Sequence, residues 1–409
     1  MQRNLLYLAL AALVPIPALL SRWGGVHLDP VAGIAVFGLG VVAAAFLISW
    51  AAELAQLEIS QALALIVVAF LAVLPEYAID LYFAWTAAAK PEYASYALAN
   101  MTGANRLLVG LGWPVIVFLW WYRTRNRGVV LEKTRGGEVV FLGLATLYAF
   151  AIPLKGSLSL IDMAVFLVIF GFYLRFAARQ EVSEPELEGP AAFVALLARP
   201  TRRLATVFMF LYAAFAIYSC AEPFAESLVA AGKVFGVNEF YLVQWLAPLA
   251  SETPEFLVAA LFCWKGSPAT GLGALLSSKV NQWSLLVGTV PLVYSLGLIA
   301  AGKPHATIPL DDTQFGEVLL TAAQSFLAVA VILNLRLSIW EAGGLAALFL
   351  LQFATTLAIE ESGVADAHAW LMKEKYIYSG LYMVLGTVQL VRYARYVPGH
   401  VRTAFGRSG

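Results

Sequence analysis

Apolar runs of about twenty residues succeed one another along nearly the whole chain, and a helix of that length is what crosses the ~30 Å hydrocarbon core of a bilayer. Windows at 4–22, 31–52, 61–88, 93–121, 138–154, 158–178, 204–231, 239–263, 268–300, 315–335, 338–358 and 376–396 predict about twelve such helices. In lipid each backbone N–H and C=O has to be satisfied within its own segment, so windows of this length read as helices. The chain is therefore expected to be an all-α, polytopic membrane bundle. Its charged fraction is 13% and its hydrophobic fraction 61%, against ~25% charged in ordinary soluble domains. No sizeable soluble domain fits, and any chemistry sits inside the bilayer. A formal net charge of +0 argues against an electrostatic nucleic-acid binder. Cys220 and Cys263 both fall in apolar stretches and suggest neither a disulfide framework nor a metal cluster.

Arg3 precedes the first apolar run as it would in a signal peptide, but Pro15 and Pro17 interrupt the run and no small-x-small cleavage site follows. A retained span is the reading adopted. The loop 123–137, the Arg199, Arg202 and Arg203 cluster, and the tail with Arg402 and Arg407 are basic, which predicts that they are cytoplasmic. The connections with Asp311 and Asp312 and at 359–368 are acidic and lie an odd number of spans away. Both termini are then cytoplasmic, in a bacterial or archaeal plasma membrane. Trp120, Trp121 and Tyr122 form an aromatic belt at the cytoplasmic interface.

The stretch "LPEYAID" puts Glu76 and Asp80 in an apolar setting directly after Pro75. Pro75 and Glu76 match Pro254 and Glu255 at an offset of 179, and the same offset pairs Phe83 with Phe262, Trp85 with Trp264, and Ala51 and Ala52 with Ala230 and Ala231. The chain thus contains a duplicated unit. Counted in spans, the two copies start an odd number apart, so they run in opposite senses across the membrane. Inverted repeats of this kind build a substrate site near the midplane from interrupted helices. Pro75 and Pro254 cannot donate to the carbonyls of Leu71 and Ala250, and carbonyls beside carboxylates suit hard cations. The expected organisation is an extra N-terminal helix and loop (1–30), a first repeat (31–178), a cytoplasmic linker (179–203), a second repeat (204–358), and a loop, extra helix and basic tail (359–409).

These residues resemble the cation/calcium exchanger superfamily, the sodium/calcium and proton/calcium antiporters, whose signature is Gly-Thr-Ser-Leu-Pro-Glu followed on the next helix by Gly-Asn-x-x-Gly-Ser-Asn. The first repeat reads "LAVLPEYAID" and then "ALANMTGANRLLVGLG"; the second reads "LAPLASETPEF" and then "GALLSSKVNQWSLLVGT". "LEIS" and "FGVNE", on the approaches to the two Pro-Glu pairs, also look like the family. The resemblance implies a secondary cation antiporter, not an enzyme, working by alternating access. It needs no cofactor, and Na⁺, Ca²⁺ or H⁺ are its cargo; its partners are inorganic cations and the lipid bilayer. Glu76 and Glu255 match the two cation-binding glutamates, Asn100 and Asn105 the asparagines of the first repeat, and Ser251 a hydroxyl ligand. The chain also departs from the pattern. Ala72 and Val73 replace hydroxyl ligands, Asp80 stands at a position often small and hydroxylic, Glu252 replaces a serine, Lys279 replaces an acid or amide, and Arg106 follows Asn105.

Glu76 and Asp80 are four residues apart, and Glu252 and Glu255 three, so each pair shares a helix face. Two carboxylates ~4 Å apart repel by about 4 kcal/mol at an effective dielectric of ~20, so the four need compensation. Lys279 and Arg106 are the expected counter-ions. Lys279 then reads as a tethered ammonium occupying one cation subsite, its proton acted on in opposite senses by desolvation and by the neighbouring acids. The competing reading is a non-transporting scaffold in which these charges form a fixed salt-bridge network. His27, His305, His368 and His400 lack metal-binding spacing and read as interfacial. Ser277 and Ser278 beside Lys279 give only the outline of a hydrolytic dyad, without a nucleophile elbow. Gly103, Gly271 and Gly273 read as helix-packing positions.

Overall fold

The computed structural model describes residues 2–57, 74–180, 187, 189–236 and 238–406. Ala72, Val73, most of "LEIS" and part of the 179–203 linker lie outside the described residues, as does the carbonyl of Leu71.

The first span is two helices, α1 (Gln2–Leu13) and α2 (Pro15–Gly24), joined at Val14 where Pro15 starts a new helix. α3 (Pro30–Ala55) opens on Asp29, whose side chain accepts from the Val31 and Ala32 amides, a proline-plus-aspartate N-terminus. α4 (Leu74–Thr86) carries the first Pro-Glu pair. α5 (Tyr93–Leu107) passes through a π-helical turn, Leu108–Gly112, into α6 (Trp113–Thr124). α7 (Gly136–Ala149), the short α8 (Ala151–Lys155) and α9 (Leu160–Ala177) follow, then the short α10 (Gly189–Ala195). α11 (Arg199–Phe235) and α12 (Glu239–Lys265) come next, and α13 (Pro268–Asn281) passes through a second π-helical turn, Gln282–Leu286, into α14 (Val287–Ala300). The last helices are α15 (Asp312–Ile332), α16 (Ile339–Glu361), α17 (Ala367–Tyr393) and α18 (Val397–Phe405).

Ten segments among the described residues are long and apolar enough to cross a membrane, fewer than the twelve expected. The difference falls on two helices. α4 is described only from Leu74 onward, and α17, with Lys373, Glu374, Lys375 and Arg392 in its sequence, is not among the ten.

Four short strands make the inversion of the repeats visible. β1 (Gly128–Val130) follows α6, and β2 (Ser157–Leu158) precedes α9; in the second unit β3 (Ile308–Pro309) follows α14, and β4 (Arg336–Ser338) precedes α16. β1 pairs antiparallel with β4, and β2 with β3. The spanning segment Lys133–Lys155 separates β1 from β2, so the two small sheets lie at opposite ends of the bundle. β1 and its equivalent β3 are therefore at opposite ends, which is what inverted repeats require.

The same exchange governs helix packing: α12 packs on α5, and α4 on α14, so each Pro-Glu helix touches the following helix of the other repeat. The opening helices α3 and α11 also pack together. A Cβ on Gly33 would meet the Ser227 hydroxyl at 2.2 Å and one on Gly40 the Cys220 sulfur at 2.9 Å. Small residues let the backbones approach, as is usual between helices in lipid.

Candidate functional site

α12 contains two prolines, Pro248 and Pro254. Each lacks the N–H that would bond the carbonyl four residues earlier, so Gln244 and Ala250 lose their helical partners. The Gln244 carbonyl is pressed against Gly103 of α5, where a Cβ would lie only 1.8 Å from its oxygen. A Cβ on Gly271 would likewise be 2.4 Å from the Ala259 oxygen, and one on Gly273 would be 3.0 Å from the Arg135 guanidinium. Gly103 and Gly271 let α5 and α13 close onto the backbone of α12, as their sequence context suggested, whereas Gly273 makes room for the Arg135 side chain.

Glu76, Asp80 and Glu252 are fully buried, whereas Glu255 is partly exposed. Asp80 Oδ1 accepts from Asn100 Nδ2 at 2.7 Å, and Glu252 Oε1 accepts from Gln282 Nε2 at 3.0 Å. Among the described residues, the other oxygen of each carboxylate, both oxygens of Glu76, and Asn100 Oδ1 have no hydrogen-bond partner. Glu76 lies within electrostatic range of Glu255 and Asp80, and Glu252 within range of Glu76 and Glu255. The acids of both Pro-Glu helices thus face one region. They do not form a closed cage: among the described residues no three carboxylate, imidazole or thiol groups are grouped to hold a metal ion.

Ser251 donates to the Pro248 carbonyl at 3.3 Å, and Ser278 lies against Glu255. Lys279 is fully buried, yet its ammonium donates to the carbonyl and side-chain oxygens of Asn105, at 3.0 and 2.8 Å, and not to a carboxylate. It also lies 4.7 Å from the centroid of the Trp283 ring and feels the charge of Glu252. This changes the expected part of Asn105: its side-chain oxygen is occupied by Lys279, and its amide nitrogen donates to the Met101 carbonyl at 2.9 Å.

Arg106 is not a counter-ion of these four acids. Adjacent positions on a helix project about 100° apart, so Arg106 turns away from the face of Asn105 into a second buried cluster. There Nη1 donates to Glu317 at 2.7 Å and Nη2 to Gln352, with the guanidinium 5.1 Å from the Trp245 ring. Glu317 also receives Lys375 at 3.3 Å and Gln244 at 2.8 Å. Gln352 in turn donates to Glu374 at 2.7 Å.

Gln282, Glu317, Lys375, Gln352 and Glu374 were not singled out from the sequence. Glu317 could have been, as an acid inside the apolar window 315–335, though it stands near the start of α15, only five residues after Asp312. Both π-helical turns, which often mark functional sites, follow directly on the polar positions of the two ligand-bearing helices and leave no signal in the residue pattern. Ser277 donates to Glu138 at 2.9 Å and accepts from Arg135 at 3.0 Å, so it does not pair with Lys279. His400, expected at an interface, is buried, with Nε2 2.7 Å from the Leu333 carbonyl oxygen.

No curated protein sequence matches the chain. The family described as sodium/calcium exchanger protein matches residues 30–179 and 205–358. The crystal structure of the H+/Ca2+ exchanger CAX shares 40% sequence identity with a TM-score of 0.90, over 99% of this chain and 98% of that one. The Ca2+/H+ antiporter protein YfkE is 14% identical with a TM-score of 0.61, over 85% of this chain and 97% of that one. The sodium-calcium exchanger NCX_Mj is 16% identical with a TM-score of 0.53, over 79% and 97%. At the two lower identities the likeness is one of fold.

Proposed function

The chain belongs to the sodium/calcium exchanger protein family, and from that premise we propose that it exchanges Ca²⁺ for H⁺ by alternating access. Its similarity to the H+/Ca2+ exchanger CAX supports this choice of ions over Na⁺.

One observation carries the assignment of the site: Glu76 is fully buried and, among the described residues, neither of its carboxylate oxygens has a hydrogen-bond partner. An ionised carboxylate removed from water costs several kcal/mol unless it is paired. A protein keeps such a group where a cation or a proton takes the partner's place. Glu76, Asp80 and Asn100 together offer hard oxygen atoms on the first-repeat side. On the second-repeat side Lys279 already supplies a covalently attached positive charge. The mobile cation therefore binds at Glu76 and Asp80, with Asn100 and Glu255 completing its oxygen ligands, and Lys279 balances Glu252 at longer range. Ser251 and Asn105 shape the site through backbone and ammonium contacts and are not primary ligands. Protons replace the divalent ion on the carboxylates in the other half of the cycle. A scaffold whose charges are fixed in salt bridges has no use for an unpaired Glu76.

The basic segments at 123–137 and 199–203 support an orientation with both termini cytoplasmic. Purified protein in proteoliposomes, given Na⁺, Ca²⁺ and pH gradients in turn, tests the exchange. Ca²⁺ flux driven by a pH gradient and lost in Glu76→Gln is the expected result; flux unchanged in Glu76→Gln removes the assignment.

A further inference from the structure

α17 lies beyond residue 358, where the family match ends, yet it sends a charged side chain into the transport core. Lys375 is fully buried. Its stem passes over Gly316, where a Cβ would come within 2.8 Å of Lys375 Cδ, and its ammonium reaches Glu317 at 3.3 Å. Glu317, on α15, is met by three other helices. Besides Lys375 from α17 it receives Arg106 from α5 and Gln244 from α12. Those last two residues lie on the helices that also carry Asn105 and Glu252. Arg106 directly follows Asn105, which holds Lys279, and Gln244 precedes Glu252 by two helical turns on the same helix.

We propose that Lys375 is a positioning residue for transport: by fixing Glu317 it sets α5 against α12, and so sets the spacing between the first-repeat oxygens and the second-repeat acids. The charges favour this. Arg106 and Lys375 balance Glu317 and Glu374, so removing Lys375 leaves the cluster one negative charge in excess in a buried place. Glu317 then draws Arg106 and Gln244 toward itself without the opposing pull from α17, and both ligand-bearing helices respond. The indole ring of Trp245, whose centroid lies 5.1 Å from the Arg106 guanidinium above it, passes the same displacement along α12.

The inference rests on the exchange reading, and the test separates the two. Ca²⁺ flux into proteoliposomes under a fixed pH gradient is measured against Ca²⁺ concentration for wild type, Lys375→Met, Lys375→Arg and Gly316→Ala, alongside thermal stability in detergent. Networks of this kind change coupling by factors of a few to about thirty, so Lys375→Met should raise the half-saturating Ca²⁺ concentration about tenfold, and Lys375→Arg should restore it. Gly316→Ala, which pushes on the lysine stem without removing its charge, should move the same constant in the same direction by less; it carries the test if Lys375→Met does not fold. A lowered melting temperature with wild-type half-saturation in the folded variants makes Lys375 a structural brace only and overturns the proposal. If wild type itself shows no saturable Ca²⁺ flux, the exchange reading fails first and this inference falls with it.

Discussion

Two polar clusters are buried in the same bundle, partly on the same helices, and they are built by opposite rules. Around Glu317 each of the four charged residues has a partner, and the formal charges of Arg106, Lys375, Glu317 and Glu374 cancel. Around Glu76 the charges do not cancel: four carboxylates share a region with Lys279, whose ammonium is committed to Asn105. α12 supplies Gln244 to the first cluster and Glu252 to the second, eight residues and therefore ~12 Å apart along the axis. Every charged residue of the two clusters except Glu255 is buried, so burial alone does not separate them. What separates them is whether the partner is part of the chain. A cluster whose counter-charges are covalently attached holds helices in one arrangement, and on the proposed reading one that leaves an acid open binds something that comes and goes.

The largest effect should come from breaking the balanced cluster. Glu317→Gln leaves Arg106 and Lys375 buried without their common acid, and removing one partner of a buried pair typically costs about 3–5 kcal/mol. The melting temperature in detergent should fall sharply, or folded protein should be lost altogether. Arg106→Gln should destabilise in the same way. If both variants melt like wild type, the balanced cluster is not what holds these helices, and the contrast loses one side.

Glu76→Gln should do the reverse. Its carboxylate has no hydrogen-bond partner among the described residues, so stability should stay at or above wild type while Ca²⁺ transport collapses. A contact to a charged group contributes ~1.5–3 kcal/mol, which corresponds to a roughly 10- to 100-fold higher half-saturating Ca²⁺ concentration. Glu255→Gln should follow the same pattern less steeply, since Glu255 is partly exposed. A marked loss of stability in Glu76→Gln would mean that its carboxylate is a structural partner after all.

Between these two lies a variant that alters no charge. Gly103→Ala forces a methyl group into the space taken by the Gln244 carbonyl, and overpacking of that kind costs about 1–3 kcal/mol. Since Gly103 lies between Asn100 and Asn105, and Gln244 binds Glu317, both clusters should suffer together: lower stability and weaker Ca²⁺ dependence in one protein. A stable Gly103→Ala with normal flux would show that the close approach of α5 and α12 is not what joins them.

How far the sequence alone reached follows from the same physics. The bilayer demands apolar windows of fixed length, so most of the spans could be read directly, and the paired Pro-Glu motifs revealed the duplication because proline and an intramembrane acid are both conspicuous there. Side-chain direction was harder. Asn105 and Arg106 are neighbours in sequence, and only the helix phase sends one to Lys279 and the other to Glu317. In the "KEK" of α17, just before the span read at 376–396, Lys373 lies over Trp370, 4.7 Å from the ring centroid, while Glu374 and Lys375 beside it are buried. Nothing in the residue pattern announces that two of the three enter the core. The π-helical turns are equally silent, since they alter backbone hydrogen bonding without a characteristic residue.

The smallest and most discriminating effect belongs to Lys279, which sits at the edge of the open cluster but is bonded like a member of the closed one. Lys279→Asn removes the attached charge and returns an amide oxygen to the second-repeat side, at the loss of the two bonds to Asn105. If the ammonium stands in for a bound cation, the vacated position should accept a mobile one. Flux should then depend more steeply on Na⁺ or Ca²⁺ and less on pH, by a few-fold, a scale consistent with ~0.5–2 kcal/mol for a residue that modulates coupling. Lys279→Asp should exaggerate both changes by adding an acid to the acids already there. The alternative gives a different pattern: a lysine that merely braces Asn105 leaves ion preference and pH profile intact on replacement and lowers only the melting temperature. Flux curves against Na⁺, Ca²⁺ and pH for the two variants, read beside their melting curves, therefore decide whether Lys279 belongs with Glu76 or with Glu317.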